Sequence, residues 1–159
     1  MTSLSKREKR VRPEWVASVF LVALILSGAT GIHGQNKDAE QPWNAPKSAR
    51  ELRNPAAVTP QGQKSAAQFY KQNCVKCHGK TGDSNGAAAK SLPKKPTNFT
   101  DEDLMRKATD GELFWKIGTG RAPMPSYQDK MSETERWQLV NYLRMLAMRA
   151  QYRYLGTAD

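Results

Sequence analysis

The spacing of apolar positions divides the chain into three parts: an apolar run near the start, a polar stretch punctuated by prolines, and a longer part with apolar residues at helical intervals. Trp15 to Leu26 is an unbroken series of apolar and small residues. Lys6, Arg7, Lys9, Arg10 and Arg12 precede it, and the small residues 27–31 follow. A basic start, an apolar middle and a small-residue end form the pattern of a secretory signal. Trp15 to Ile32 carries no charge and approaches the roughly 18–20 residues that cross a bilayer, so a retained anchor helix is the alternative. Residues 1–34 are therefore expected to be a signal peptide or a membrane anchor. In both cases the basic end stays inside and the remainder is exported, periplasmic in a bacterium.

Residues 35–60 are polar, with Pro42, Pro46, Pro55 and Pro60 spaced through them, which predicts an extended arm lying across the following domain with Trp43 as a packing peg. A helix is predicted over 61–78, with Tyr70 four positions before Cys74 and so on the same helix side. Glycines 79, 82 and 86 and prolines 93 and 96 make 79–99 irregular. Thr100 to Asp103 reads as a helix start, giving a short helix to about Lys107. Asp110 reads as the cap of another, ending at Gly118 and Gly120. Ser132 and Glu135 form a capping box for a last helix from Glu133 to about Tyr154. Its residues Leu139, Val140, Tyr142, Leu143, Leu146 and Met148 keep helical spacing. No segment alternates with period two, so the expected class is all-α, with one domain over 61–150 and a tail over 151–159.

Composition changes this picture little. A domain this small ordinarily needs a staple, yet the only two cysteines lie three apart, so disulfides between distant segments are excluded. The formal charge is +10, and removing residues 1–34 leaves 20 basic and 13 acidic residues, a net of +7. A basic exported protein without a nucleic-acid motif points to acidic protein surfaces as partners, not to nucleic acid.

The chemistry is concentrated in Cys74-Val75-Lys76-Cys77-His78. Cys-x-x-Cys-His is the signal for covalent attachment of c-type haem, each thiol forming a thioether and the histidine ligating the iron. A structural zinc site would need a second Cys/His pair, which is absent. A thioredoxin-like motif would need an α/β context, which no strand pattern supplies. A Cys74–Cys77 disulfide would close a tiny strained ring and leave His78 unexplained. One buried haem c would also be the missing apolar staple.

The second axial ligand is sought among few residues. His33 is the other histidine and lies at the end of the targeting segment. Methionine is the soft alternative that favours reduced iron. Met145 and Met148 fall on the last helix, and Met105 and Met131 flank helices. Met124 stands in Arg121-Ala122-Pro123-Met124-Pro125, where prolines exclude a helix and hold an extended loop. Met124 is the expected sixth ligand, with Pro123 stiffening its loop.

These pieces together resemble the class I, mitochondrial-type monohaem cytochromes c, particularly bacterial exported ones. The resemblance rests on Cys74-x-x-Cys77-His78-Gly79, residues 110–117, Gly120-Arg121-x-Pro123-Met124-Pro125 and Trp137-x-x-Val140-Asn141-Tyr142-Leu143-Arg144, and spans about 61–148. It implies three main helices and several short ones round one haem, with the first and last helices crossing at Ala66 and Tyr142. It also implies that a carbonyl at Gly86-Ala87, here that of Ala87, accepts the remaining imidazole N–H of His78. The function implied is one-electron transfer with redox-protein donors and acceptors and no small-molecule substrate. The site has no catalytic residue. Lys76, Lys80, Lys90, Lys94, Lys95, Lys116 and Arg121 would form a basic rim that steers acidic partners. A fixed subunit of a membrane respiratory or photosynthetic complex is the main alternative. A peroxidase-like or ligand-sensing protein would need an open distal site, for which the sequence offers no acid–base residues.

Overall fold

The computed structural model describes residues 42–156. The targeting or anchor segment 1–34, with His33, lies outside them, as do residues 157–159. Among the described residues there are six α-helices and no strand: α1 (Lys47–Arg50), α2 (Pro60–Asn73), α3 (Val75–His78), α4 (Glu102–Lys107), α5 (Asp110–Thr119) and α6 (Glu133–Tyr154). No helix among them is long and apolar enough to cross a membrane.

Four of the helices, α2, α4, α5 and α6, begin where a side chain satisfies a free backbone N–H group. Thr59 caps α2 through the Gly62 N–H at 3.0 Å, and Pro60 fills the first position, where a missing N–H costs nothing. Asp101, not Thr100, accepts from Leu104 at the start of α4. The cap of α5 is Thr109, and Asp110 instead becomes its first residue, where a carboxylate suits the helix dipole. The Ser132–Glu135 capping box is present at the start of α6. The helix expected over 61–78 breaks at Cys74, whose φ of −112° opens a junction between α2 and α3.

The core collects Tyr70, Phe99, Met105, Leu113, Ile117, Tyr127, Met131, Trp137, Leu139, Val140, Leu143 and Leu146. The helix α6 supplies the largest share and packs across α2, α4 and α5. Phe114 of α5 stacks on Trp137 of α6 at 3.9 Å between ring centroids. Arg144 joins three elements. Its guanidinium pairs with Asp110 at 2.7 Å, donates to the Ala108 carbonyl at 2.6 Å, and also donates to the Met105 carbonyl. The end of α4 and the start of α5 are thereby held against α6.

The arm is ordered rather than simply extended. It contains the one-turn helix α1, which lies on α5 so closely that a Cβ on Gly111 would stand 1.9 Å from the Ala49 carbonyl. Only a glycine admits that approach. Farther along, Asn54 donates to the Trp137 carbonyl at 3.2 Å and to Asn141 at 2.8 Å, and Asn141 in turn donates to the Ala56 carbonyl. Trp43 does act as a peg, meeting Trp115 of α5 at 6.3 Å between centroids.

Candidate haem site

The pentapeptide 74–78 sits where α2 gives way to α3. A helix end leaves carbonyls without partners, and the irregular segment after it supplies them. The N–H groups of Gly79, Ala88, Gly86 and Ser84 reach the carbonyls of Val75, Lys76, Cys77 and His78 at 3.0, 2.9, 3.3 and 2.8 Å. Gly86 has to be glycine here, because a Cβ would lie 2.3 Å from the Lys76 carbonyl and 2.5 Å from that of Val75. The loop is thus folded back over the motif, and Cys74, Cys77 and His78 are all half-buried on one short turn, both thiols free.

His78 is fixed in orientation and tautomer. Its Nδ1 lies 3.0 Å from the Thr97 carbonyl. A carbonyl has no proton to give, so Nδ1–H donates and Nε2 is left bare in the neutral ring. Burial pushes the His78 pKa down, although the bond to Thr97 opposes the shift, so the neutral ligand form is favoured. Phe99 stacks on the imidazole at 4.7 Å with only 17° between planes. Its own N–H is bound to the Gly82 carbonyl at 2.7 Å, which ties residues 97–99 back to the loop. The acceptor of the imidazole N–H is therefore Thr97, where Ala87 had been expected. Ser84, buried with φ of +63°, donates its hydroxyl to the Pro96 carbonyl at 2.7 Å and fastens the same segment.

Around the thiols the surroundings are aromatic. Tyr70 is fully buried, donates to the Gly79 carbonyl at 2.9 Å, and meets Tyr142 at 5.3 Å and Phe99 at 6.5 Å between centroids. Tyr127 follows the Met124 loop and lies beside the motif. Burial, then the Cys74 and Cys77 thiols, push its phenol up to about 12. Its hydroxyl reaches the Asn73 carbonyl at 3.3 Å and its ring meets Phe69 edge-on at 5.3 Å. Burial and the neighbouring Cys77 raise the Cys74 thiol to about 12 as well. Ala66 is buried in the crossing of α2 and α6, and Tyr142 packs on Tyr70 in the same crossing.

Met124 packs half-buried against the core, in a turn closed by its N–H on the Arg121 carbonyl at 2.8 Å. The neck of that loop is tied to α5. Tyr127 and Gln128 N–H groups donate to the Ile117 and Gly118 carbonyls at 3.1 and 3.2 Å, and the Ser126 hydroxyl donates to Gly118 at 2.5 Å. Among the described residues no other group of His, Cys, Asp and Glu could hold a metal ion. A bare imidazole nitrogen, two free thiols three apart, a thioether and an aromatic lining are the donor set and surroundings that a covalently held haem requires. The residues fit the group.

Of the seven expected rim cations, Lys76, Lys80, Lys90, Lys94 and Lys95 are exposed. Lys116 is instead paired with Glu112 at 2.5 Å, and both it and Arg121 lie over the Trp43 ring. A separate groove of about 930 Å³ between α2 and α6 is lined by Tyr70, Val75 and Tyr142 with Lys71, Lys80, Arg149 and Arg153. Cys77, His78 and Met124 do not line it, so it is not the haem site. Thr97, Phe99 and Tyr127 are the residues that the sequence did not single out. The only sequence signal for them was an aromatic or small residue within three positions after a proline, Pro96 or Pro125.

Residues 61–143, about half of the chain, match the model of the family described as "Cytochrome C oxidase, cbb3-type, subunit III". No curated protein matches the chain. Among solved structures, a chain of the reducing HAO-like protein complex of Kuenenia stuttgartiensis is similar at 28% identity with a TM-score of 0.53. The similarity covers 69% of this chain and spans about half, 54%, of that one.

Proposed function

The chain belongs to the family described as cytochrome c oxidase, cbb3-type, subunit III, and carries a covalently bound c-type haem; from that premise we propose that it is an exported one-electron carrier of the class I, His/Met-ligated type. Bound haem supplies a one-electron Fe(III)/Fe(II) couple. The chain's residues do the rest. Cys74 and Cys77 hold the group covalently. His78 offers Nε2, with Thr97 fixing the ring and keeping the other nitrogen protonated. Met124 offers its thioether from a loop whose neck is bonded to α5, so little freedom is lost on ligation. Phe99, Tyr70 and Tyr127 exclude water. Exposed lysines 76, 80, 90, 94 and 95 give acidic partners a surface to meet.

The observation that carries this reading is His78 itself, half-buried and oriented by the Thr97 carbonyl under a stacked Phe99. The test is the optical spectrum of the exported holoprotein, oxidised and reduced, with a redox titration. A low-spin spectrum, a weak far-red Fe–S band and a positive potential are expected. Met124→Ala should abolish the far-red band and lower the potential. A high-spin spectrum that shifts on addition of carbon monoxide would mean an open iron and would overturn the carrier reading.

The family's description favours a second reading, a cytochrome c subunit fixed within a membrane oxidase complex. Purification from membranes without detergent exchange separates the two. The carrier is released in the soluble fraction, and the subunit stays with its complex.

A further inference from the structure

The Trp43 ring lies against the loop that presents Met124, although it comes from the arm, some 80 residues earlier in the chain. The Arg121 guanidinium lies 5.4 Å from the ring centroid and the Lys116 ammonium 5.6 Å, while Trp115 meets the same ring at 6.3 Å. Arg121 is the first residue of the four-residue turn whose last residue is Met124, closed by the bond of 2.8 Å between them. The loop's neck is held by α5, whereas Trp43 engages its tip. The arm itself is anchored behind Trp43, by Ala49 on α5 and Asn54 on α6. It is a strap fastened at one end to the helices and at the other to the ligand turn.

We propose that Trp43 is a positioning residue for the axial methionine: its ring seats Arg121 and so fixes the turn that holds Met124 toward the iron. The proposal rests on Met124 being the sixth ligand. An unseated turn would sample conformations in which the thioether points elsewhere, and ligation would have to select against them. Cation–ring contacts of this kind at a half-exposed site change such a balance by about fivefold. Arg121 is part of the ligand turn whereas Lys116 lies on α5, so the effect runs through Arg121.

The experiment uses the holoprotein with Trp43→Ala, Trp43→Phe and Arg121→Gln, and Met124→Ala as the control for the ligand. Two readouts are taken. One is the denaturant concentration at which the far-red Fe–S band disappears, compared with that at which the helical circular dichroism disappears. The other, independent of the haem, is the rate of trypsin cleavage at the Arg121–Ala122 bond. Trp43→Ala is expected to lose the band well before the helices and to be cut about fivefold faster. Trp43→Phe keeps an aromatic face and should restore both. Arg121→Gln leaves the arm's packing in place and should lose the band early in the same way. Band and helices lost together in both variants, with cleavage of Trp43→Ala unchanged, would overturn the proposal and leave Trp43 a packing residue; Arg121→Gln, which removes the trypsin site, is read by the band alone. If the band survives Met124→Ala, the ligand assignment fails instead, and the proposal falls with it while the cleavage rate reports the strap alone.

Discussion

Replacing Arg144 with alanine tests how the three segments behind the site are held together. The guanidinium binds Asp110 by Nε at 2.8 Å and Nη2 at 2.7 Å, the Ala108 carbonyl at 2.6 Å, and the Met105 carbonyl through Nη1. The Arg144 and Asp110 side chains are 32% and 35% exposed, so their ion pair alone contributes no more than about 1 kcal/mol. The carbonyls differ. Met105 is buried and both belong to the end of α4, where no further turn of helix can satisfy them. Hydrogen bonds from a charged donor contribute about 1.5–3 kcal/mol each, a range to be discounted here because the donor is one-third exposed. The expected loss for Arg144→Ala is therefore about 2–3 kcal/mol, of which the pair supplies the smaller part. The assay is urea unfolding of the holoprotein followed by far-UV circular dichroism, with Asp110→Asn and the double variant completing a cycle. A coupling energy of about 0.5–1 kcal/mol is expected, well below the whole effect of Arg144→Ala. If Arg144→Ala costs under about 1 kcal/mol, or the coupling equals the entire loss, the fan of carbonyl bonds contributes nothing and the reasoning is refuted.

Two further outcomes follow from the geometry. Gly111→Ala would gain about 1 kcal/mol of helix propensity, but its methyl would meet the Ala49 carbonyl at 1.9 Å, an overlap that lifting α1 relieves. A net loss of about 1–2 kcal/mol and faster tryptic cutting at Lys47, Arg50 and Arg53 are expected, and unchanged cutting would show that the arm does not depend on that approach. Glu135 has its carboxyl pKa lowered below its usual 4.5, chiefly by hydrogen bonds from the Ser132 hydroxyl and N–H, against a small opposing burial effect. A depressed carboxyl stabilises the fold above its unfolded pKa, and that stability is lost as pH falls through the folded value. The group is almost fully solvated, so wild type should lose a small but measurable amount, about 0.5 kcal/mol, relative to Glu135→Gln on acidification from about pH 5 to 3. Parallel stability curves for the two proteins over that range would count against the capping-box bond.

Helices were the legible part of this fold because their signals are local. Apolar spacing in α6, Gly120 after α5 and the Ser132–Glu135 pair each act within a turn or two, and the structure follows them closely, although Gly118, also expected to end α5, lies inside it. Caps were misplaced by one residue at Asp101 and Thr109. At both starts the neighbouring side chain is bonded elsewhere, Thr100 to Asn98 and Asp110 to Arg144, by contacts that the local sequence does not reveal. The arm was legible in its outline but not in its turn of helix, since α1 is only four residues long and depends on α5 for its place. Nothing in residues 47–50 reveals that Gly111 makes room for them.

The site was legible where its chemistry is covalent and obscure where it depends on folding. Cys74, Cys77 and His78 announce themselves because two thioethers and a ligand must come from one short turn. The acceptor for the His78 N–H obeys no such constraint. Any carbonyl that the loop brings within 3 Å will serve, and a loop of 21 residues offers many. The family resemblance pointed to Ala87, nine residues on. In the structure the N–H of Ala88 and that of Gly86 are spent on closing α3, which turns this stretch back over the motif. Thr97 is brought to the ring by different bonds, Ser84 to Pro96 and Phe99 to Gly82, each spanning more than ten residues. These bonds also set Phe99 on the imidazole. A change at Ser84 or Gly82, neither of which touches the ring, would therefore disturb the tautomer and the water exclusion of His78 together.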